Sequence, residues 1–193
     1  MLKRLQSFIG PVRKHLGTAL RDFRHVASIF PSTRFAIARI VAFVDPSAVA
    51  VVEYGAGTGN VTRGILQHLG KNARVIGVEL NPSFSAHLKK DIQDPRFTVS
   101  QGSVLAVLPS VRALLPQGAS AVVSGIPFSL IPSDEREEIV AQTRKLLNEN
   151  GRFIVYQNSR LMMPVLRRHF AKVECHLELR NIFPYFIMVA HAK

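Results

Sequence analysis

The chain has 193 residues, with 25 Lys and Arg against 13 Asp and Glu, so its formal net charge is +12. A hydrophobic fraction of 47% excludes a mainly disordered chain, and the length suits one α/β domain with a sizeable core. So basic a surface attracts polyanions, either nucleic acid or the anionic headgroups of a membrane, and charge alone does not choose between them.

Residues 1–45 are predicted to form a basic, helical N-terminal extension. Apolar residues recur every three or four positions between Leu2 and Phe23, as on one face of an amphipathic helix. Gly10-Pro11 is expected to divide this segment into two helices, and a third is predicted over residues 35–44. Such helices either cover the hydrophobic core or lie in an anionic membrane interface. The residues predicted to contact the membrane are Lys3, Arg4, Leu5, Phe8, Ile9, Arg13 and Lys14.

Neither a signal peptide nor a membrane span is predicted. Residues 1–17 are interrupted by charges, and the longest uncharged stretch, residues 113–133, contains three prolines and two glycines. The single cysteine, Cys175, allows no internal disulfide and fits a reducing compartment. We therefore expect a cytoplasmic protein that is soluble or peripheral on the inner membrane face.

From residue 46 onward, predicted strands and helices alternate. The predicted strands are residues 48–54, 74–80, 97–101, 119–124, 152–157, 172–179 and 185–191. The predicted helices are residues 60–69, 83–92, 133–150 and 162–170. This order predicts an α/β fold with a mostly parallel sheet and helices on both faces. The last two strands have no helix between them, which indicates an antiparallel hairpin at one edge.

The strongest motif lies at the turn from the first strand into the first helix of this region. Residues 53–59 read Glu-Tyr-Gly-Ala-Gly-Thr-Gly, and alternate glycines let a ligand approach the backbone closely. The next strand ends in Glu79, whose carboxylate can accept hydrogen bonds from both hydroxyls of a ribose. The spacing differs from the G-x-G-x-x-G of dinucleotide sites, and Glu53 would repel a pyrophosphate. An acid there suits an ammonium group instead.

The motif resembles motif I, E/D-x-G-x-G-x-G, of the class I S-adenosylmethionine-dependent methyltransferases, and the resemblance covers about residues 48 to 193. It implies a Rossmann-like sheet of seven strands, with Glu53 near the methionine end of the cofactor and Glu79 on its ribose. Ser103 stands where the family often has an acid that contacts the adenine amino group. The predicted cofactor-binding residues are Glu53, Gly55, Ala56, Gly57, Gly59, Glu79, Leu80, Gly102, Ser103 and Ser124.

The segment after the fourth predicted strand, which begins Gly125-Ile126-Pro127-Phe128, is expected to face the methyl acceptor. It is similar to the N-L/I-P-Y/F motif of the rRNA adenine dimethyltransferases, but Gly125 has no side chain to grip a base. Their small C-terminal helical domain also has no counterpart before Lys193.

A second resemblance, to the bacterial phospholipid N-methyltransferases, runs from end to end. It rests on the basic N-terminal helix, the segment of residues 28–34 that reads Ser-Ile-Phe-Pro-Ser-Thr-Arg, and the proline-containing loop of residues 125–132. It implies N-methylation of phosphatidylethanolamine and its mono- and dimethyl forms towards phosphatidylcholine. The alternatives are a nucleic-acid adenine N6-methyltransferase and a non-catalytic, cofactor-binding membrane-associated protein.

The residues that would handle the acceptor are predicted by type and position. Ile126, Pro127, Phe128 and Arg160 are expected on the substrate side, and Tyr185, Tyr156 and His191 are candidates for the base that deprotonates the amine. His and Cys residues show no metal-ligand spacing, so no metal is predicted. The number of methyl groups transferred and the oligomeric state stay open.

Overall fold

The structure, a computed structural model, describes residues 33–180 and 184–193. The two helices predicted between Leu2 and Phe23, and with them the predicted membrane contacts from Lys3 to Lys14, lie outside the described residues. Within the described ranges, no helix is both long and apolar enough to cross a membrane.

A seven-stranded sheet in the order β3-β2-β1-β4-β5-β7-β6 forms the centre of the fold. The strands are β1 (Ala50–Tyr54), β2 (Arg74–Glu79), β3 (Phe97–Gln101), β4 (Ala119–Ser124), β5 (Leu147–Gln157), β6 (Lys172–Glu178) and β7 (Tyr185–His191). β1 to β5 are parallel to one another, whereas β7 pairs antiparallel with both β5 and β6. The predicted Rossmann-like sheet with an antiparallel last hairpin is thereby confirmed.

Six α-helices cover the two faces of the sheet in the part of the chain that the structure describes. They are α1 (Arg34–Val41), α2 (Asn60–His68), α3 (Pro82–Asp91), α4 (Val104–Leu114), α5 (Ser133–Leu146) and α6 (Met163–His169). Because side chains alternate along a strand, Val51 of β1 packs with α1, α2 and α3, while Val52 packs with α4, α5 and α6. The sheet therefore separates two apolar cores.

Two elements differ from the sequence prediction. Helix α4 was not predicted, and it contains Pro109, which lacks an N–H for the helix ladder. Pro109 is exposed within α4, where the helix keeps its other hydrogen bonds and buries Leu108 against the sheet. Helix α5 ends at Leu146 rather than at residue 150, because Leu147 pairs with Ala119 of β4 and begins β5.

Helix α1 belongs to the same packed unit as the sheet. The side chain of Thr33 caps its first turn, and Ala36 and Ile40 are fully buried. A Cβ at Gly64 of α2 would lie 2.7 Å from Ile37 Cγ2, so the glycine allows α1 to approach α2 closely. Residues 36–44 thus share the hydrophobic core, while the division of the chain at residue 45 stays a prediction.

Candidate active site

The loop between β1 and α2 has three glycines with positive φ. Gly55, Gly57 and Gly59 have φ angles of 77°, 55° and 81°, a region that other residues rarely adopt. A Cβ at Gly59 would lie 2.9 Å from side-chain carbons of Leu88 and Ile92, so this glycine packs on the neighbouring helix. A Cβ at Gly57 would find only the carbonyl oxygen of Gly55, at 3.9 Å. The loop is therefore open at Gly57, where a ligand can approach its backbone.

Glu79 lies at the carboxyl end of β2 and faces this loop. Its Oε2 accepts a hydrogen bond from the backbone N–H of Gly57 at 2.9 Å, and its Oε1 accepts one from Asn81 at 2.7 Å. Each carboxylate oxygen can accept a second hydrogen bond, so Glu79 can also receive two ribose hydroxyls. The next residue, Leu80, is half exposed at the same edge of the sheet.

Glu53 is a buried carboxyl group beside the glycine loop. It is 1% exposed, and its Oε2 accepts a hydrogen bond from the hydroxyl of Thr62 at 2.5 Å. Burial raises the pKa of Glu53 to about 8; the Thr62 hydrogen bond opposes this rise, and the charge of Glu79 adds to it. Among the described residues, no Lys, Arg or His forms a salt bridge with Glu53. An unpaired buried acid suits the ammonium group of a cofactor.

The end of β3 is tied to the end of β2 at Gly102, whose N–H bonds to the carbonyl of Glu79 at 3.0 Å. Ser103 is the N-cap of α4, and its Oγ accepts a hydrogen bond from the N–H of Ala106 at 3.3 Å. Its side chain therefore has a structural partner, and the adenine contact of Ser103 stays a prediction. Ala56 is buried within the glycine loop, with its N–H directed at Val78.

The loop after β4 lies over the glycine loop. A Cβ at Gly55 would lie 2.9 Å from Ile126 Cγ2, so the half-buried Ile126 borders the cofactor region. Ser124 is fully buried, and its Oγ has no hydrogen-bond partner in the described part of the chain. Pro127 is half-buried. Phe128, in contrast, is fully buried in the core, which disagrees with the substrate contact predicted for it.

Two of the three predicted base candidates lie together. The rings of Tyr156 and Tyr185 have centroids 5.9 Å apart, at an angle of 54°. Tyr156 lies at the end of β5, next to Gly125, and the charge of Glu53 acts on its hydroxyl. Burial, followed by Glu53 and Tyr185, raises the pKa of Tyr156 well above its ordinary value. The phenol is therefore neutral near pH 7 and is poorly suited to act as a base.

The third candidate, His191, lies at the far end of β7, away from the carboxyl ends of the parallel strands that carry the site. It pairs with Arg152 on β5, and its Nε2 lies 3.1 Å from Oε1 of Glu174. It lies six positions along the strand from Tyr185, a distance of about 20 Å. The prediction that His191 deprotonates the acceptor is therefore wrong. Arg160, in the exposed segment after β5, lies on the side of the cofactor loop, and its substrate contact stays a prediction.

Two side chains of this site were missed by the sequence analysis. Thr62 donates a hydrogen bond to Glu53, and no local sequence pattern distinguishes this buried threonine from one that faces solvent. Asn81 caps α3 through its Oδ1 and donates its N–H to Glu79. The pair Asn81-Pro82 is a recognisable helix start, which would have moved the predicted start from Ser83 to Pro82.

The site lies where the strand order reverses, between β1 and β4, at the position where open α/β sheets bind ligands. A glycine loop, a buried acid without a salt bridge and a second acid for a ribose fit S-adenosylmethionine. A family model for methyltransferase domains matches residues 51–151. The chain belongs to the class I S-adenosylmethionine-dependent methyltransferases, and S-adenosylmethionine is its cofactor.

Among curated relatives, an ornithine lipid N-methyltransferase of Singulisphaera acidiphila is 30% identical over 184 residues, which cover 92% of this chain and 90% of the relative. Among solved structures, an O-methyltransferase of Bacillus cereus in complex with SAH has a TM-score of 0.68 at 13% identity and covers 92% of this chain and 90% of its own. An O-methyltransferase of tomaymycin synthesis from Streptomyces achromogenes, in complex with SAM, has a TM-score of 0.65 at 14% identity, with 92% and 89% covered. These structures share the fold.

Proposed function

We propose that this enzyme transfers a methyl group from S-adenosylmethionine to the amine of a membrane lipid. The observation that carries the proposal is the 30% identity to an ornithine lipid N-methyltransferase over 92% of the chain. The part of this chain outside the alignment is shorter than the 32 residues of the basic N-terminal segment, so the similarity extends into that segment. A shared catalytic domain alone would not need similarity there.

Two headgroups are candidates for the acceptor. The similarity to the Singulisphaera enzyme favours the amine of an ornithine lipid. The resemblance of the loop at residues 125–132 to the phospholipid N-methyltransferases favours phosphatidylethanolamine and its mono- and dimethyl forms. Both lipids present an amine at a bilayer surface, so the two proposals share one chemistry.

The residues of the site have separate tasks in this reaction. The cofactor supplies an electrophilic methyl group on a positively charged sulfur. Glu53 is suited to hold its ammonium and Glu79 its ribose, which fixes the position of the methyl group. The amine must approach in line and without its proton, and Ile126 and Tyr156 flank the approach. Since the phenol of Tyr156 stays neutral, we expect the proton to leave to water.

The side of the molecule that carries the site, at the carboxyl ends of the parallel strands, also carries exposed apolar side chains. We define the apolar rim as Phe35, Leu80, Leu161, Leu177 and Leu179, which are between 39% and 67% exposed. The guanidinium groups of Arg34 and Arg180 lie 4.9 and 5.6 Å from the centre of the Phe35 ring. Apolar side chains beside basic ones suit an anionic bilayer. The rim supports a peripheral position on the inner membrane face, with the site opening towards the lipid.

The continuity of the rim with the N-terminal segment supports the same proposal. Residues 1–32 contain six Lys and Arg and one Asp, and they join the described part at Thr33. Thr33 Oγ1 donates a hydrogen bond to the carbonyl oxygen of Arg180 at 2.8 Å, so the first residue of the described part lies beside the rim. The predicted contacts Lys3 to Lys14 and the rim would then act on one membrane surface.

Transfer of labelled methyl groups tests the acceptor. The purified full chain is incubated with labelled S-adenosylmethionine and vesicles of phosphatidylglycerol that contain an ornithine lipid, phosphatidylethanolamine or neither, with total RNA as a parallel acceptor. We expect label in an amine-bearing lipid and none in phosphatidylglycerol alone. Label in RNA only would support the nucleic-acid alternative and overturn the proposal. Cofactor binding without transfer to any acceptor would support the non-catalytic alternative.

Vesicle sedimentation tests the membrane surface. We expect Phe35→Glu combined with Leu179→Glu to weaken binding to phosphatidylglycerol vesicles at least tenfold. The matched control is Val49→Glu combined with Leu114→Glu, two equally exposed apolar residues at the opposite edge of the sheet. Equal loss in both double variants would indicate a general charge effect, and no loss in the first would exclude the rim as the contact.

A further inference from the structure

Position 125 requires a glycine because a neighbouring side chain occupies the space where a Cβ would lie. Its φ angle is not positive, unlike those of Gly55, Gly57 and Gly59, so its own backbone would accept other residues. A Cβ at Gly125 would, however, overlap the hydroxyl oxygen of Tyr156 and lie 2.5 Å from its Cζ. Tyr156 comes from β5, where the preceding Val155 pairs with Ser124. The side chain of Tyr156 therefore fills the space that a side chain at position 125 would use.

The hydroxyl of Tyr156 has no hydrogen-bond partner among the described residues. The comparison with Tyr54 is informative, because the hydroxyl of Tyr54 is buried on the opposite face and bonds to Thr143 at 3.1 Å. Tyr156 is half-buried, and its hydroxyl is not among the fully buried polar atoms that lack a partner, so it is free to bond to a ligand. The hydroxyl of Tyr156 lies instead beside the loop that faces the methyl acceptor, with the ring of Tyr185 5.9 Å away.

We infer that Gly125 and Tyr156 form one acceptor-selecting unit, in which the Tyr156 hydroxyl receives the acceptor amine. This inference rests on the proposed function and assigns the contact that it requires. The loop resembles a motif that carries asparagine at position 125, whose side chain grips a planar base amino group. Here the polar group comes from the strand next to the loop, and the Tyr156 hydroxyl takes the place of a side chain at position 125.

The chemistry of the unit is that of positioning. The phenol oxygen accepts a hydrogen bond from an N–H of the amine and directs the nitrogen lone pair at the methyl carbon. As the C–N bond forms, the C–S bond breaks and its electron pair stays on sulfur; the proton of the methylated nitrogen passes to water. Each transfer replaces an N–H with a methyl group, and the faces of the Tyr156 and Tyr185 rings suit the resulting methylammonium.

Removal of the hydroxyl alone tests this role. We expect Tyr156→Phe to lower kcat/KM for the unmethylated lipid amine about tenfold, the loss of roughly one hydrogen bond, while S-adenosylmethionine affinity changes less than twofold. The loss should be smaller for the dimethylated amine, which has fewer N–H groups to place. Tyr54→Phe is the control: it removes a hydroxyl from the other face and should lower thermal stability without a preference between the two acceptors.

A second pair of variants tests the steric coupling even if one variant folds poorly. Gly125→Ala should lower both stability and acceptor kcat/KM, and Tyr156→Val added to it should restore stability but not acceptor kcat/KM. Wild-type behaviour of Tyr156→Phe with the unmethylated amine, or of Gly125→Ala in stability, would overturn the inference. If the wild-type enzyme methylates no lipid amine, the proposed function fails, and the inference with it.

Discussion

The carboxylate of Glu79 accepts a hydrogen bond from the backbone N–H of Gly57 at 2.9 Å, which joins the end of β2 to the glycine loop. The acid for the ribose and the turn beneath the cofactor are therefore one unit. Its second oxygen receives the N–H of Asn81, so the start of α3 is fixed by the same carboxylate. A cofactor that binds here meets donors and acceptors that are already oriented.

Replacement of this carboxylate should weaken cofactor binding strongly. Glu79→Ala removes the acceptor for the ribose hydroxyls and leaves the N–H of Gly57 without its partner. Hydrogen bonds to a charged group contribute about 1.5–3 kcal/mol each, so we expect the Kd for S-adenosylmethionine to rise on the order of a hundredfold in calorimetry. Glu149→Ala, at an exposed acid far from the site, is the control. Unchanged affinity in Glu79→Ala would contradict the assignment.

Glu53 should make stability depend on pH in an unusual direction. Its pKa is raised to about 8 in the folded protein, so between about pH 4.5 and pH 8 the folded chain keeps a proton that the unfolded chain has lost. The free energy of unfolding then falls as pH rises through this window, by at most about 1.4 kcal/mol per pH unit from this group. We expect thermal melts without cofactor to show wild type losing stability relative to Glu53→Gln from pH 5 to pH 8. A constant difference would show that Glu53 titrates normally.

The same group should couple cofactor binding to proton release. An ammonium next to Glu53 favours its charged form, so binding near pH 7 should expel a proton. Calorimetry in buffers of different ionisation enthalpy measures this number. We expect fewer protons to be released by Glu53→Gln than by wild type, and equal numbers would remove Glu53 from the cofactor's surroundings.

Two glycines of the loop should respond differently to alanine. Gly57→Ala places a methyl group in open space, so we expect a loss of about 1–2 kcal/mol from the positive φ but a large loss of S-adenosylmethionine binding. Gly59→Ala adds overlap with Leu88 and Ile92 to the same strain and should destabilise the fold more. Denaturant unfolding and calorimetry separate the two effects. The reverse order of stabilities would contradict this reading of the loop.

Ser103 offers a test between a cap and a cofactor contact. Ser103→Ala removes the side-chain cap of α4 and should cost about 1 kcal/mol of unfolding free energy. If capping is its whole role, the affinity for S-adenosylmethionine should stay within about twofold of wild type. Ser103→Asp keeps a cap and should restore stability. A tenfold loss of affinity in the alanine variant would instead support the predicted adenine contact.

The order of the sheet strands, the cofactor loop and the class of enzyme could all be predicted from local sequence patterns. Strand and helix patterns are local, and the spacing of Glu53, the glycines and Glu79 is carried by one continuous strand-turn-helix-strand segment. Helix α4 was missed; Pro109 disfavours a helix locally, and burial of Leu108 against the sheet outweighs that preference.

The contacts between residues on the acceptor side could not be predicted without the packed fold. Because β7 runs antiparallel to β5, its first residue, Tyr185, lies beside the carboxyl end of β5, where Tyr156 is. His191, the last residue of β7, lies beside Arg152, away from that end, and is therefore excluded from the site. The overlap of Tyr156 with the space at Gly125 depends on two strands adjacent in the sheet but separate in sequence. The raised pKa of Glu53 likewise results from burial, a property of the packed molecule that no local pattern contains.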